Sequence, residues 1–159
     1  MHAEPLEQII RRYADMVYRL ALAHLREPAD AQDAFQDVFL RYAEKAPAFR
    51  DEEHRRAWLL RVTVNRCRSH YRTAWFRRTA PMEAAANAAA PMPETNPLAD
   101  VLSRLPAGYR TVVHLHYYEE LSTREIAAIT GQRPSTVRSQ LTRARAMLRE
   151  LLKGEYDDV

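Results

Sequence analysis

Apolar residues recur at intervals of three and four along most of the chain, and each such run predicts an amphipathic helix. Leu6, Ile9, Ile10, Tyr13, Val17 and Leu20 give the first, opened by Pro5 and ending near Arg26 and Pro28. Asp30 is placed to cap the second, with Asp33 in its first turn, where the helix dipole favours an anion. Its inner side is Ala31, Ala34, Phe35, Val38 and Tyr42. Ala57, Leu60, Val64, Cys67 and Tyr71 form the stripe of a third helix, read over 54–78. Further on, Leu98, Val101, Leu102 and Leu105 predict a short helix closed by Pro106. Another follows over about 107–120, with Tyr109, Val112, Val113, His116 and Tyr117 as its inner residues.

The stretch LSTREIAAITGQRPSTVRSQLTRARAMLRELL, residues 121–152, carries the sharpest local signals. Ser122 followed three residues later by Glu125 is a capping box, which fixes a helix start. Ile126 and Ile129 supply that helix's buried side, and Gly131 stands where the chain must leave it with positive φ. Pro134 suits the first position of the next helix. Val137, Leu141, Ala144 and Leu148 then give one apolar stripe. Thr136, Arg138, Ser139, Gln140, Thr142, Arg143 and Arg145 face outward, and the stretch 131–149 holds five Arg and no acid. This predicts a helix-turn-helix, in which Arg138, Ser139, Thr142 and Arg143 make base and phosphate contacts with Thr136 and Arg145 beside them. Otherwise it is a solvated basic face on a helical hairpin.

Two other polar faces carry chemistry. On the second helix Asp33, Gln36 and Asp37 share a side, with Phe39 and Leu40 close to it. Acids edged with exposed hydrophobes suit a protein-docking surface, whereas buried hydrophobes would make the same residues ordinary core. The third helix has eight Arg and no acid between His54 and Arg78. Trp58, Arg61, Asn65, Arg68 and Arg72 line up opposite its apolar stripe. Arginine for phosphates, rings for stacking and an amide for a base edge are what an unpaired strand requires. Trp58 is either core or DNA-facing; its spacing allows both.

Composition narrows the class. Three Gly in 159 residues and an ordinary apolar fraction of 47% point to an all-α chain rather than a turn-rich β protein. Net charge is only +3, so the separation of sign along the chain matters more than its sum. Residues 79–97 carry four Pro and many Ala and read as a flexible linker between two small helical domains. The expected boundaries are 1–78, 79–97 and 98–154, with an acidic, frayed tail over 155–159. One Cys excludes a disulfide framework or a multi-cysteine zinc site, and fits a reducing compartment. His114 and His116 lie near Glu119 and Glu120, but two residues apart on a helix they point to different faces, so no metal is expected. No nucleophile elbow, P-loop or dinucleotide turn is present, and no cofactor or enzymatic activity is expected. Without a leader or a membrane-length apolar run, the chain is expected to be cytoplasmic.

The order of these parts resembles the extracytoplasmic-function group of bacterial RNA polymerase sigma factors, of the sigma-70 family, over nearly the whole chain. DAQDAFQDVFLRYAEK is similar to the family's core-binding helix and AWLLRVTVNRCRSHYR to its minus-10-reading helix. LPAGYRTVVHLHYYEELSTREIAAITGQRPSTVRSQLTRARAML is similar to the minus-35-reading domain, a helix-turn-helix of winged-helix-like type. The resemblance implies a transcription initiation factor. Asp33, Gln36, Asp37 and Phe39 would dock on the β′ clamp of core RNA polymerase. Arg61, Asn65, Arg68 and Arg72 would hold the melted minus-10 strand, with Asn65 at the position near a flipped-out base. Thr136, Arg138, Ser139, Thr142, Arg143 and Arg145 would read the minus-35 duplex of promoter DNA beside the β flap, and an anti-sigma factor would be a further partner. The turn reads GQRPST where many members have proline-glutamate-glycine-threonine, and Gln140 stands where Arg is common, which bears on base preference. A stand-alone duplex-binding dimeric regulator explains the helix-turn-helix equally well, but leaves the acid-free helix 54–78 without a purpose. A helical adaptor with no nucleic-acid role explains neither arginine run.

Overall fold

A computed structural model describes the backbone of residues 4–78 and 97–157 and the side chains of residues 4–70 and 100–154. Every regular element among the described residues is helical, and contacts divide the chain into two units, Met1–Ala90 and Pro91–Val159. The expected linker lies outside the described residues, except that Pro97 opens a helix.

In the second unit α4 (Pro97–Ser103) and α5 (Ala107–Val113) lead into a π-helical turn, His114–Tyr118, then α6 (Thr123–Thr130) and α7 (Pro134–Asp157). The capping box forms in both directions: Glu125 N–H donates to Ser122 Oγ at 3.1 Å and Ser122 N–H to Glu125 Oε1 at 3.0 Å. Gly131 ends α6 at φ 70°, where a Cβ would be strained, and the amide of Gln132 bonds back to Ala127 O at 3.0 Å. Ile126, Ile129, Val137, Leu141 and Ala144 are buried as their spacing predicts, together with Val101, Leu105, Val112 and Leu115. Fully burying side chains such as Ile126 and Leu115 contributes about 1.5–3 kcal/mol each. α7 runs to Asp157, into the acidic stretch that begins at Glu155.

Tyr117 departs from expectation. Placed on the inner side by its four-residue spacing from Val113, it is 55% exposed. The π turn closes on a bond from Glu119 N–H to His114 O at 3.1 Å, five residues apart, so the register of everything after Val113 rotates. Leu115 takes the inner place, and Glu120 leaves the turn at φ 59°, a conformation uncommon outside glycine.

The first unit is a bundle of α1 (Leu6–Leu25), α2 (Pro28–Lys45) and α3 (Glu52–Arg78), each packed on the other two. Ile9, Val17 and Leu20 of α1, Val38 of α2, and Leu59, Leu60 and Val64 of α3 meet in the core. At one end, small residues Ala21, Ala31, Ala34 and Cys67 pack with Leu25. Burial pushes the Cys67 thiol up to about 12, and nearby Arg66 only partly opposes this. The single α3 stripe read from sequence is too narrow: Leu59, Val62 and Thr63 are buried as well, because α3 serves two neighbours. Thr63 satisfies its hydroxyl on Leu59 O at 2.7 Å.

Helix ends in this unit differ from the sequence expectation. Asp30 does not cap α2, which begins two residues earlier at Pro28 after Glu27; with no N–H to satisfy, Pro28 opens the helix and Asp30 sits in its first turn. α3 likewise starts before His54. Asp51 caps it, its Oδ1 accepting from His54 N–H at 2.8 Å, while His54 Nδ1 accepts from the N–H of the preceding residue Arg50 at 3.2 Å. Arg26 turns the chain out of α1 at φ 70° without a glycine.

Glu52, at the start of α3, ties the bundle together. It accepts from Tyr13 of α1, pairs with Arg55, and lies 3.1 Å from Arg12. The Tyr13 hydrogen bond, ahead of the two arginines, holds the Glu52 carboxyl below its ordinary range. Its stabilisation is therefore present above the unfolded carboxylate range and is lost as pH falls through the lowered folded value. Glu52→Gln should be less stable than the parent at about pH 7, with the gap in urea midpoint closing as pH drops below the ordinary carboxylate range. A gap independent of pH would show that the ionised carboxylate contributes nothing.

Candidate nucleic-acid interface

On α7 the buried line Val137, Leu141 and Ala144 fixes the rotation of the helix, and the opposite arc is solvent. Thr136, Arg138, Ser139, Thr142, Arg143 and Arg145 are all exposed there, as their positions require. Thr142 donates to Arg138 O at 3.0 Å, which leaves its hydroxyl oxygen able to accept from outside. The αL turn at Gly131 ends α6, and Pro134 opens α7 three residues on. A helix with short polar residues in its first turns and arginines beyond them can enter a major groove and reach phosphates on both sides. Gln140 is half-buried with its Oε1 lacking a partner among the described residues, so it belongs to the edge of the packed side.

On α3, Arg61, Asn65 and Arg68 are exposed along one line. Arg72 continues it in the backbone, its side chain outside the described residues, as is that of Tyr71. Trp58 is half-buried, packed edge-on at 5.8 Å from both Tyr42 and Phe49. Arg55 lies over Phe49 at 5.2 Å and donates to the Tyr42 hydroxyl at 3.2 Å. One flank of Trp58 is thus committed to fastening the α2–α3 connection, while the cationic line beyond it stays on the surface.

The acidic side of α2 turns toward α3. Asp33 and Gln36 are exposed, whereas Asp37 pairs with Arg66 and Asp30 lies 3.2 Å from His70 Nε2. An open cleft of about 220 Å³ runs between these pairs. Phe39, expected on the docking face, is 5% exposed and packs edge-to-face on Phe35 at 5.0 Å. The exposed hydrophobe beside the acids is Leu40, at 59%. Of the two hydrophobes expected beside the acids, Phe39 is thus core on a helix that packs against both α1 and α3, and Leu40 is exposed.

His114 and His116 do go to different sides. His114 stacks on Tyr118 at 5.0 Å with Nε2 3.5 Å from Glu119 Oε1; His116 Nδ1 lies 3.0 Å from Leu121 O. Among the described residues no group of three His, Cys, Asp or Glu could hold a metal ion, and no helix is long and apolar enough to cross a membrane.

Two family descriptions match the chain. The family described as Sigma-70 region 2 matches residues 9–77, and that described as Sigma-70, region 4 matches residues 95–148. An ECF RNA polymerase sigma factor SigM of Mycobacterium tuberculosis is 34% identical over 149 residues, spanning 92% of this chain and 76% of that protein. An RNA polymerase sigma-E factor of Streptomyces coelicolor is 34% identical over 158 residues, spanning 92% and 85%. Among solved structures, the sigma factor RpoE bound to the anti-sigma factor NepR from Bartonella quintana has the same fold, with a TM-score of 0.75 at 24% identity over 92% of this chain and 96% of that one. CnrH, solved with the cytosolic domain of CnrY, gives 0.67 at 27% identity over 94% and 88%.

Proposed function

The chain belongs to the extracytoplasmic-function sigma factors of the sigma-70 family, initiation factors that direct RNA polymerase to promoters, and from that premise we propose how its two units divide the work. Residues 1–78 dock on the β′ clamp of core polymerase and hold the melted minus-10 strand. Residues 98–154 read the minus-35 duplex beside the β flap, and 79–97 connect the two. The observation that carries this reading is the arc of Arg138, Ser139, Thr142 and Arg143, exposed opposite the buried Val137, Leu141 and Ala144. Opening DNA costs a few kcal/mol per unstacked step, so a melting surface needs clamps on single strands and a duplex reader needs a groove-filling helix. The line Arg61, Asn65, Arg68 and Arg72 suits the first task. Docking falls to Asp33, Gln36 and Asp37, with Leu40 and not Phe39 as the exposed hydrophobe beside them. The stand-alone regulator leaves the region 2 match over residues 9–77 without a purpose.

The factor performs no chemistry of its own in this reading, and it works in the cytoplasm, where polymerase and promoters are. RpoE and CnrH were each solved with a protein partner. An anti-sigma factor covering the docking or DNA faces is the corresponding partner proposed for this chain.

Purified core polymerase with this protein should initiate at specific sites in a pooled promoter library, and those starts should vanish without it. Starts unchanged by its omission would sink the reading. Arg143→Ala should weaken minus-35 binding by about 1–3 kcal/mol. Unaltered promoter affinity in that variant would remove α7 from the duplex. Asp33→Arg reverses an exposed docking charge without disturbing the Asp37–Arg66 pair, and should abolish co-purification with core polymerase while leaving the thermal midpoint unchanged. Normal co-purification would count against docking through α2.

A further inference from the structure

The π turn demands a physical reason. It replaces the helical hydrogen-bond register over His114–Tyr118 and leaves Glu120 at φ 59°, both departures that an uninterrupted α5 would avoid. Its visible product is the direction of Tyr117, an exposed ring that fills no core. Arg145 of α7, remote in sequence, donates from Nε to the Tyr117 hydroxyl at 2.5 Å, and its Cζ lies 5.6 Å from the ring centroid. The ring is backed by His116, edge-on at 4.8 Å, which is itself anchored near Leu121 O.

We propose that Tyr117 is a positioning residue for promoter recognition, holding Arg145 through its Nε so that the two terminal nitrogens are kept for a DNA phosphate. The proposal rests on the assignment of α7 to duplex reading. Arg145 stands seven residues from Arg138, about two helical turns along the same side, and so extends the outer arc on the flank nearest the π turn. A long arginine side chain loses rotamer freedom when it binds, and a partner that already restricts it lowers that cost. The guanidinium offers five donors in a fixed fork, so spending Nε on tyrosine leaves the bidentate end intact. Tyr117 acts through Arg145 rather than on the DNA.

The test uses holoenzyme assembled from core polymerase and the full chain, and a promoter fragment recovered from the library, with affinity followed across a range of salt concentrations. Tyr117→Phe keeps the ring and removes only the hydroxyl. It should weaken binding roughly three- to ten-fold, the worth of one hydrogen bond. Arg145→Ala should weaken it at least as much and lower the salt slope by about one phosphate contact. In the Arg145→Ala background, Tyr117→Phe should add nothing, a result that a general structural role would not give. An equal loss from Tyr117→Phe in both backgrounds would show that the tyrosine acts independently of Arg145 and overturn the proposal. Unchanged affinity in Tyr117→Phe, with Arg143→Ala and Arg145→Ala both weakened, would overturn it while sparing the reading of α7. No loss in any of the arginine variants would overturn both.

Discussion

A helix that keeps one side rich in arginine and free of acid gets little help from its own surface, because it lacks the opposite charges that usually support an exposed helix. It is held by what it buries. Both α3 and α7 are built under this constraint, and the architecture follows from it. α7 is buried along one line against α4, α5 and α6, which leaves a broad outer arc. α3 is buried against two long helices, and its core residues Leu59, Leu60, Val62, Val64 and Cys67 spread over more than one side. Only a narrower cationic line remains outside. The difference in width suits the two targets proposed for them, a groove for α7 and an extended strand for α3.

The acids are displaced rather than missing. They gather at the start of α3 and along α2, so that Glu52 and Asp37 are met by arginines from elsewhere in the same unit. The first of these clusters is structural, joining α1 to α3 through Tyr13. The second lies on the face assigned to polymerase docking. There the carboxylate of Asp37 is already paired, whereas Asp33 stands further out, so the two acids enter any encounter with a basic partner from different starting states.

Local signals in the sequence were enough for most of the second unit. Ser122 with Glu125, Gly131 and Pro134 each do one thing in the backbone, and each does it at its own position, so the turn and the rotation of α7 could be read directly. The same holds for the exposed places of Arg138, Thr142 and Arg143. What escaped depended on partners distant in sequence or on a break in periodicity. Phe39 is buried because α2 touches two helices, a fact with no trace in the spacing of α2 alone. Tyr117 escaped because periodicity assumes an unbroken α-helix, and nothing in HLHYY announces a π turn. Asp30 misled because an acid near a helix start is a good cap, and a proline two residues earlier is an equally good opening. Arg26 and Glu120 adopt positive φ without the glycine that would have marked it.

The single cysteine of the chain packs among residues of α1 and α2, with no exposed surface. Burial pushes the thiol up to about 12 and so disfavours the thiolate at neutral pH, and the sulfur is walled in by alanine and leucine. Oxidants and electrophiles act on thiolates they can reach, so the folded factor is chemically deaf to them at this atom.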